Sequence, residues 1–469
     1  MTDREFALDV VRTLQNAGYA ALWAGGCVRD EFLSLTPQDY DVATSARPEQ
    51  LRPLFRRRNE IGAHFGVVQV IGPKGNDGEW LTIEVASFRS DGIYTDGRRP
   101  DTVTFSSPEE DSQRRDFTIN GMFFDPVKNE LIDYVGGRAD LAAKVLRAIG
   151  DPVARFTEDK LRILRAARMA ARFAMTIDPA THSAAKRMAA QIQVVSAERI
   201  AEELRKLLVH PNRARGLEHL RELSLIPPIL PEIATFGTWA SGIRVVETLR
   251  GPTPPAPLPE GKGEEDSPLA ASRNAREEIL ATPRVALNSP FPSGRGAGVV
   301  GSPVSFPLAF AAVLHTLGKE TAERIAIRLK LSNVETVRVC WLVEKFAYLT
   351  DAPTMRASKL KTILVHPGIG ELLALHRAIA LASDSSLEHV KFCERVLRET
   401  PPGVLNPTPV LTGEDLIAIG LKPGPAFKRL LDAVREAQLE GRAASKEQAH
   451  VLVKQLLAEP PPASEPPPA

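Results

Sequence analysis

The apolar residues of this chain change their spacing once, near Leu141, and no other feature constrains the fold as strongly. Before that point, short apolar or alternating runs at residues 20–23, 67–71, 81–85 and 121–125 lie between Gly, Pro and Asp turns, which is typical of mixed α and β structure. After it, apolar residues recur with helical spacing as far as Leu457. The pattern predicts an α+β domain followed by an all-α region.

Two segments lack any apolar periodicity. Residues 251–307 and 459–469 are rich in Pro, Gly or Ser, so we expect a disordered insertion between helices and a disordered tail. We divide the remaining chain into a head at 1–140, a helical neck at 141–210, and a helical body and tail at 211–250 and 308–458.

Composition excludes several classes of protein. The 59 Lys and Arg nearly balance the 58 Asp and Glu, so contact with nucleic acid would have to come from local clusters of basic residues. No apolar run approaches the roughly 18 to 20 residues that span a bilayer, and the first residues resemble no signal peptide. The 3 cysteines have no CxxC spacing, which argues against disulfides and structural zinc. We predict a cytoplasmic protein that contacts no membrane.

The first informative motif is a glycine pair at residues 22–30 (LWAGGCVRD), where an apolar run ends and a helix-like segment begins. Gly25 and Gly26 have no side chain that would keep the backbone N–H groups away from a phosphate. Arg29 could add a charged hydrogen bond to the same phosphate. A plain turn is the alternative interpretation.

Nine residues after Asp30 the chain contains two aspartates separated by one residue. In a strand, Asp39 and Asp41 would point to the same side and could share one or two divalent cations, as two-metal phosphoryl transfer requires. Glu84 alternates with the apolar residues of segment 80–86 (WLTIEVA), so it could complete the carboxylate group. Solvated surface carboxylates are the alternative.

Two further segments carry groups suited to a nucleotide. Arg114 and Arg115 offer planar donors for phosphate oxygens, and Asp116 is an acceptor suited to a ribose hydroxyl; Asn120 follows in the same segment. A solvated arginine pair is the alternative.

The second of these segments, 158–162 (EDKLR), places Asp159 and Arg162 three residues apart, on one face of the helix that we expect there. One acceptor and one donor match the edges of cytosine and adenine but leave groups unpaired against uracil and guanine. Arg165 and Arg168 continue a basic stripe that faces the triphosphate, the RNA or water.

These motifs together resemble the signature of the class II tRNA nucleotidyltransferase and bacterial poly(A) polymerase family. Segments 61–66 (IGAHFG), 85–89 (VASFR), 94–101 (YTDGRRPD) and 114–122 (RRDFTINGM) agree with it in order and spacing. The resemblance is strong over residues 20–208 and weaker beyond. It implies an α+β nucleotidyltransferase head with a small mixed sheet, followed by an elongated all-α neck, body and tail.

The resemblance also implies an activity and roles for residues. Mg²⁺ held by Asp39 and Asp41, with Glu84 beside them, would support transfer of CMP and AMP from CTP and ATP to the 3′ end of tRNA. Asp116 would recognise the ribose, and the other site residues would bind the nucleotide. These are Gly25, Gly26, Arg29, Arg114, Arg115, Asn120, Asp159, Arg162, Arg165 and Arg168.

Other activities stay open. A poly(A) polymerase is disfavoured because segment 61–66 lacks the basic pair that this branch tends to have and because we see no basic C-terminal extension. The intact segment 94–101 argues against an enzyme that adds only CC, whereas an enzyme that adds only A remains open. A small-molecule nucleotidyltransferase and a non-catalytic RNA-binding relative are the alternatives from other classes.

Overall fold

The computed structural model describes residues 1–60, 66–76, 78–91, 103–235, 239–252 and 303–458. Motif 94–101, all but the last residue of motif 61–66, and most of the predicted disordered segments therefore lie outside the described residues. The chain forms two compact units. The first contains residues 1–249, 304–344 and 381–385, and the second contains 345–380, 386–469 and 250–303.

A seven-stranded mixed sheet forms the centre of the first unit, in the order β3-β4-β5-β2-β1-β8-β9. β2 and β5 are parallel, and the other neighbouring strands of this sheet are antiparallel. The predicted small mixed sheet is confirmed. The strands are β1 (Ala21–Ala24), β2 (Asp41–Thr44), β3 (Arg58–Asn59), β4 (Val67–Lys74), β5 (Trp80–Ser87), β6 (Arg89–Asp91), β7 (Val103–Phe105), β8 (Phe123–Asp125), β9 (Glu130–Ile132), β10 (Val145–Leu146) and β11 (Thr176–Ile177).

The two faces of this sheet differ in polarity. Along β5, exposed Trp80, Thr82 and Glu84 alternate with buried Leu81, Ile83 and Val85, as the alternating pattern predicts. The buried face packs against helix α1 (Asp3–Asn16), whose Phe6 lies so close to Gly72 of β4 that a Cβ there would approach the ring to 2.6 Å. The polar face near Glu84 stays open to solvent.

The register of the strands places polar residues in one row across the sheet. Asp41 at the start of β2 lies beside Glu84 of β5, and Glu84 lies beside Gln69 of β4. On its other side, Asp41 is paired with Ala24, the last residue of β1. The β1–α2 turn therefore lies directly beside the strand that begins with Asp41.

Helices make up most of the rest of the first unit, as predicted. A 3₁₀ turn at Thr118–Asn120 and another at Ala189–Val194 join them. The α-helices are α1 (Asp3–Asn16), α2 (Gly26–Phe32), α3 (Pro48–Leu51), α4 (Pro108–Gln113), α5 (Gly137–Ala143), α6 (Pro152–Glu158), α7 (Leu161–Arg172), α8 (Pro179–Met188), α9 (Ala197–Val209), α10 (Arg213–Glu222), α11 (Ile226–Ile229), α12 (Pro231–Thr235), α13 (Trp239–Thr248), α14 (Phe306–Leu314) and α15 (Lys319–Arg328).

The C-terminal part of the chain is helical throughout its described residues. A small core there contains Leu416, Leu430 and Val453. The α-helices are α16 (Asn333–Leu349), which runs from the first unit into the second, α17 (Ala357–Leu364), α18 (Ile369–Ser383), α19 (Glu388–Glu399), α20 (Pro402–Leu405), α21 (Gly413–Ala418), α22 (Pro425–Leu439) and α23 (Lys446–Ala458).

The helical region begins again after the insertion at Phe306, slightly earlier than Leu308, where the sequence predicts it. The Ser305 hydroxyl caps α14 by accepting a hydrogen bond from the Leu308 N–H at 3.2 Å. Across the residues that the structure describes, no helix combines the length and the apolar character needed to cross a membrane.

Candidate active site

A cavity of about 1020 Å³ lies in the first unit, between the end of the sheet and helices α7 and α9. Every predicted site residue except Glu84 lines it. The sequence motifs, separated by up to 143 positions, are therefore brought together. The lining residues named in the sequence analysis are Gly25, Gly26, Arg29, Asp39, Asp41, Arg114, Arg115, Asp116, Asn120, Asp159, Arg162, Arg165 and Arg168.

The glycine pair forms the turn between buried strand β1 and α2. Gly25 has φ = 72°, a conformation that residues with side chains rarely adopt, and its N–H donates to the Met122 carbonyl at 3.3 Å. A Cβ at Gly25 would lie 2.9 Å from Nη1 of Arg115. The backbone conformation of the turn therefore requires glycine, and a side chain at this position would displace the Arg115 guanidinium.

Arg29 lies in the cavity wall, but its charge is already paired. Its guanidinium donates to Asp30 at 2.7–2.8 Å and to the Asn120 side-chain oxygen at 2.5 Å, and it stacks on Phe173 with 4.3 Å to the ring centroid. Burial lowers the pKa of Arg29, although Asp30 partly offsets that effect. These contacts join α2 to the 3₁₀ turn that carries Asn120.

The three predicted carboxylates lie close together at the start of β2. Asp39 precedes the strand and is exposed, buried Tyr40 points elsewhere, and Asp41 is half-buried at the first strand position. Burial and, to a lesser extent, the negative charges of Asp39 and Glu84 raise the pKa of Asp41, and Arg115 opposes them, so that the pKa is about 6. Two like charges near a desolvated carboxylate leave an unfavourable negative potential here.

A bound divalent cation would neutralise this negative potential, and carboxylates are suitable ligands for it. Mg²⁺ is usually held by one or two carboxylates, with the remaining positions filled by water and substrate phosphate oxygens. Asp39 and Asp41 would supply the two carboxylates. Within the described ranges, no three His, Cys, Asp or Glu side chains form a group that could hold a metal by themselves, so phosphate and water would have to complete the site.

Both arginines of the RRD motif are oriented by one buried carboxylate, Asp111 of α4. Asp111 Oδ1 accepts from Arg114 at 2.7 and 2.9 Å, and its Oδ2 accepts from Arg115 at 2.9 and 3.2 Å. Burial raises the pKa of Asp111, but the two guanidinium groups more than offset it and the pKa is lowered. Each arginine keeps other N–H groups that can face the cavity.

Asp116 accepts hydrogen bonds at both of its carboxylate oxygens. Oδ1 accepts from the Phe117 N–H at 2.8 Å and from the Asn120 amide at 2.9 Å, and Oδ2 accepts two from Arg165 at 2.6 and 2.9 Å. Burial acts to raise the pKa of Asp116, but Arg165 and Asn120 hold it well below its usual range. A ribose hydroxyl would have to replace one of these donors, so the predicted role of Asp116 stays a prediction.

The prediction that Asp159 and Arg162 share one helix face is wrong. Helix α6 ends at Glu158, and Asp159 has φ = −143° and ψ = 105°, which is extended backbone. Arg162 lies in the first turn of α7, and its N–H donates to the Asp159 carbonyl at 3.0 Å. The helix is interrupted at Asp159, yet the side chains of Asp159 and Arg162 both line the cavity.

Helix α9 supports the cavity with two charged residues one turn apart. Arg199 donates to both oxygens of Asp159, at 2.7 and 3.2 Å. Buried Glu203 accepts from Arg168 at 2.5 Å and lies 3.7 Å from Arg165. Sequence motifs did not point to Asp111, Arg199 or Glu203, although Asp111 lies three and four residues before the two arginines that it binds, a spacing typical of helical ion pairs.

The cavity wall is strongly basic. Arginines outnumber all other charged residues in it, with Asp39, Asp41, Asp116 and Asp159 as the carboxylates. A chain with almost no net charge thus concentrates positive charge in one place, as a polyanionic ligand requires. The basic side chains are Arg29, Arg114, Arg115, Arg162, Arg165, Arg168, Arg172, Arg199 and Lys206.

Comparison with known proteins agrees with this geometry. Residues 21–147 match the family described as the Poly A polymerase head domain, and residues 174–236 match the probable RNA and SrmB-binding site of polymerase A. Poly(A) polymerase I of Salmonella typhi is 39% identical over 249 residues, covering 50% of this chain and 51% of that protein. The CCA-adding enzyme of Geobacillus sp. is 40% identical over 220 residues, covering 47% and 53%.

About half of the chain is thus similar to CCA-adding enzymes and bacterial poly(A) polymerases, the family that its motifs resemble. The chain spans about half the length of these relatives. A CCA-adding enzyme of Bacillus stearothermophilus, solved with CTP, has the same fold, with a TM-score of 0.70 at 24% identity over 97% of this chain and 98% of that one. A Thermotoga maritima CCA-adding enzyme, solved with tRNA, gives 0.56 at 18% identity over 96% and 95%.

Proposed function

We propose that this protein is a tRNA nucleotidyltransferase that adds CMP and AMP to the 3′ end of tRNA, with CTP and ATP as donors and Mg²⁺ as the metal. The observation that carries the proposal is one cavity with paired Asp39 and Asp41 at one side, a wall of arginines, and Asp159 with Arg162. Metal-dependent transfer, triphosphate binding and base selection each have matching groups there. The protein acts in the cytoplasm.

The reaction is attack of the RNA 3′ hydroxyl on the α-phosphate of the nucleotide, with pyrophosphate as the leaving group. Asp39 and Asp41 would hold Mg²⁺, which when bound lowers the pKa of the attacking hydroxyl and neutralises charge on the phosphates. Glu84 adds negative charge beside Asp41 and strengthens the attraction for the cation. The carboxylates themselves form no covalent bond with the substrate.

The arginine wall would orient the triphosphate. Arg114 and Arg115 are held by Asp111, Arg165 by Asp116 and Arg168 by Glu203, so their guanidinium planes are fixed before the nucleotide arrives. Preorganised donors lose little conformational entropy on binding. The same anchors explain how many like charges can line one cavity.

Base selection would use the groups that remain available on Asp159 and Arg162. Arg162 has five N–H donors, of which three are used by the carbonyls of Arg155 and Arg114 and by Glu158. Asp159 accepts from Leu161 and twice from Arg199, which leaves acceptor capacity on Oδ2. One acceptor and one donor fit the amine and ring nitrogen shared by cytosine and adenine.

Two related activities are the competing proposals. An enzyme that adds only A would use the same donor groups on a tRNA that already ends in CC. A poly(A) polymerase is favoured by one observation, since poly(A) polymerase I of Salmonella typhi is as similar to the matched half as the CCA-adding enzymes are. Against it, segment 61–66 (IGAHFG) lacks a basic pair before Phe65.

One assay separates these activities. Purified protein is given Mg²⁺ and labelled CTP or ATP with tRNAs that lack the last three, two or one nucleotides, and products are sized at single-nucleotide resolution. Addition that completes CCA and then stops supports the proposal. Extension of only the tRNA that ends in CC indicates an A-adding enzyme, and long A tails on unrelated RNAs indicate a poly(A) polymerase.

The control is a protein without the paired carboxylates. The double variant Asp39→Ala, Asp41→Ala should bind nucleotide but transfer none of it, because the cation ligands are gone. Transfer that persists in this variant would refute the assignment of the site. A wild-type protein that binds tRNA but transfers nothing would indicate a non-catalytic RNA-binding relative.

A further inference from the structure

The open face of the sheet carries an aromatic and basic surface outside the cavity. Trp80, the first residue of β5, is 49% exposed. The Arg57 guanidinium lies 4.9 Å from the centroid of its ring, and the Lys74 ammonium lies 5.7 Å from it. We name these three residues the Trp80 patch.

We propose that the Trp80 patch binds a base and the adjoining phosphates of the single-stranded 3′ end of the acceptor RNA, on its way to the cavity. The proposal rests on the proposed function, because it takes an RNA acceptor as given. It adds a second contact point for the acceptor, distinct from the nucleotide-binding cavity.

The position of the patch follows from the strand register. β2 begins at Asp41, opposite Glu84, so residues 80–83 of β5 extend past the start of β2. Trp80 and Glu84 lie on the same exposed face and are separated by four residues, which is about 13 Å along a strand. The patch therefore shares the exposed face of β5 with Glu84.

The chemistry of the patch matches a nucleic-acid strand. Exposed aromatic rings stack with bases of any sequence, and neighbouring basic groups bind the phosphates. Trp80 is 49% exposed, so a base stacked on its ring or on the Arg57 guanidinium plane would cover apolar surface that now faces solvent.

The surrounding charges leave the patch positive. Arg56 is exposed beside Arg57, while the charges of Arg52 and Arg58 are shared with Glu60 at 2.9 and 2.7 Å. Glu79 precedes Trp80 in the sequence. Arg57 and Lys74 lie against the ring itself, and their two positive charges favour a polyanion there.

The test is steady-state kinetics with tRNA lacking its terminal A, at saturating ATP and varied RNA. Trp80→Ala should raise the KM for RNA about tenfold, the usual effect of losing one stacked base, with kcat and the KM for ATP unchanged. Trp80→Phe should restore most of the affinity because it keeps an aromatic face. Arg57→Ala should raise the KM for RNA and reduce its dependence on salt.

Arg12→Ala is the matched control, because Arg12 is also exposed but lies on α1, which covers the opposite face of the sheet. It should leave all parameters unchanged. An unchanged KM for RNA in Trp80→Ala overturns the proposal, and so does an equal loss of kcat in Trp80→Ala and Trp80→Phe, which would indicate a structural role.

Fluorescence gives a readout that does not depend on activity. A stacked base should quench Trp80, so binding of the RNA should reduce tryptophan emission in the wild type but not in Trp80→Phe. Equal quenching in both proteins overturns the proposal. An inactive wild type that still shows this difference would refute the proposed function while supporting the patch.

Discussion

Arg199 of α9 binds both carboxylate oxygens of Asp159 through a pair of parallel hydrogen bonds, at 3.2 Å from Nη1 and 2.7 Å from Nη2. Asp159 lies in the extended break between α6 and α7, where its carboxylate also accepts from the Leu161 N–H at 3.0 Å. The orientation of the proposed base-selecting carboxylate thus depends on one local hydrogen bond and on a residue forty positions further along the chain.

Replacing Arg199 by Lys should therefore reduce base selectivity more than catalysis of the reaction itself. Lysine keeps the charge but cannot make two parallel hydrogen bonds, so Asp159 would rotate. We expect kcat/KM for CTP and ATP to fall about tenfold and misincorporation of UTP to rise. These changes correspond to a loss of about 1 to 2 kcal/mol in discrimination against UTP. Arg205→Lys, the same substitution on the same helix but outside the cavity lining, should leave base selectivity unchanged. Unaltered selectivity in Arg199→Lys would show that Asp159 is oriented by other contacts.

Gly25→Ala should disable the site through Arg115. The new Cβ would lie 2.9 Å from Arg115 Nη1, at a φ of +72° that alanine rarely adopts. We expect the KM for nucleotide to rise at least tenfold as Arg115 is displaced. Gly18→Ala is the matched control, because Gly18 has φ = +87° but no atom within 4 Å of its Cβ position. Similar activity loss in both variants would point to backbone strain as the cause.

Asp111→Asn should weaken nucleotide binding without touching the nucleotide. It removes the charge that holds Arg114 and Arg115, and the amide can accept from one of them at most. Because breaking a buried ion pair is destabilising, we expect a loss of about 2 to 4 kcal/mol in the free energy of unfolding together with a higher KM for both nucleotides. Glu110→Gln, at an exposed neighbouring position, should change neither quantity. Denaturant unfolding and steady-state kinetics measure the two effects.

Asp41→Asn should abolish transfer and stabilise the metal-free protein. The pKa of Asp41 in the folded protein is about 6, above the usual 3.8, so the folded state binds the proton more tightly than the unfolded state. Stability of the wild type therefore falls as pH rises from about 4 to 6, and the full penalty is present above pH 6. The variant lacks this penalty.

Thermal unfolding in EDTA should thus give a higher Tm for Asp41→Asn than for the wild type at pH 8, with the difference disappearing near pH 4. Added Mg²⁺ should raise the Tm of the wild type and not of the variant. Equal Tm values at pH 8 would mean that Asp41 carries no electrostatic penalty in the folded protein.

Sequence alone predicted most of this site because most of its residues lie in short motifs whose residue types and spacing indicate metal or nucleotide binding. Gly25, Asp41 and Asp116 each lie in a motif whose residues predicted a place in one site, and all three line the cavity. Strand alternation correctly predicted that Glu84 faces away from the core, and the strand pairing places it beside Asp41. The change in the spacing of apolar residues near Leu141 likewise predicted that a mixed sheet is followed by helices.

The residues that sequence reasoning missed act at a distance. Arg199 and Glu203 reach partners 40 and 35 positions away, and only tertiary packing of α9 against α7 decides those pairs. The helix break at Asp159 was missed for another reason. The sequence there has neither Gly nor Pro to mark a break, but Asp is a weak helix former and a common cap, and the Asp159 carboxylate accepts from the Leu161 N–H at 3.0 Å just before α7.

Helix α9 presents Arg199 to the break at Asp159 and Glu203 to the arginines of α7 from successive turns of one face. A helix residue added or lost before Arg199 would rotate that face by about 100° and shift it by about 1.5 Å, so both pairs would fail together. A point substitution in α9 removes at most one of these pairs, whereas a change in its length removes both. Evolution should therefore conserve the number of residues between Ser196 and Glu203 more strictly than their identities.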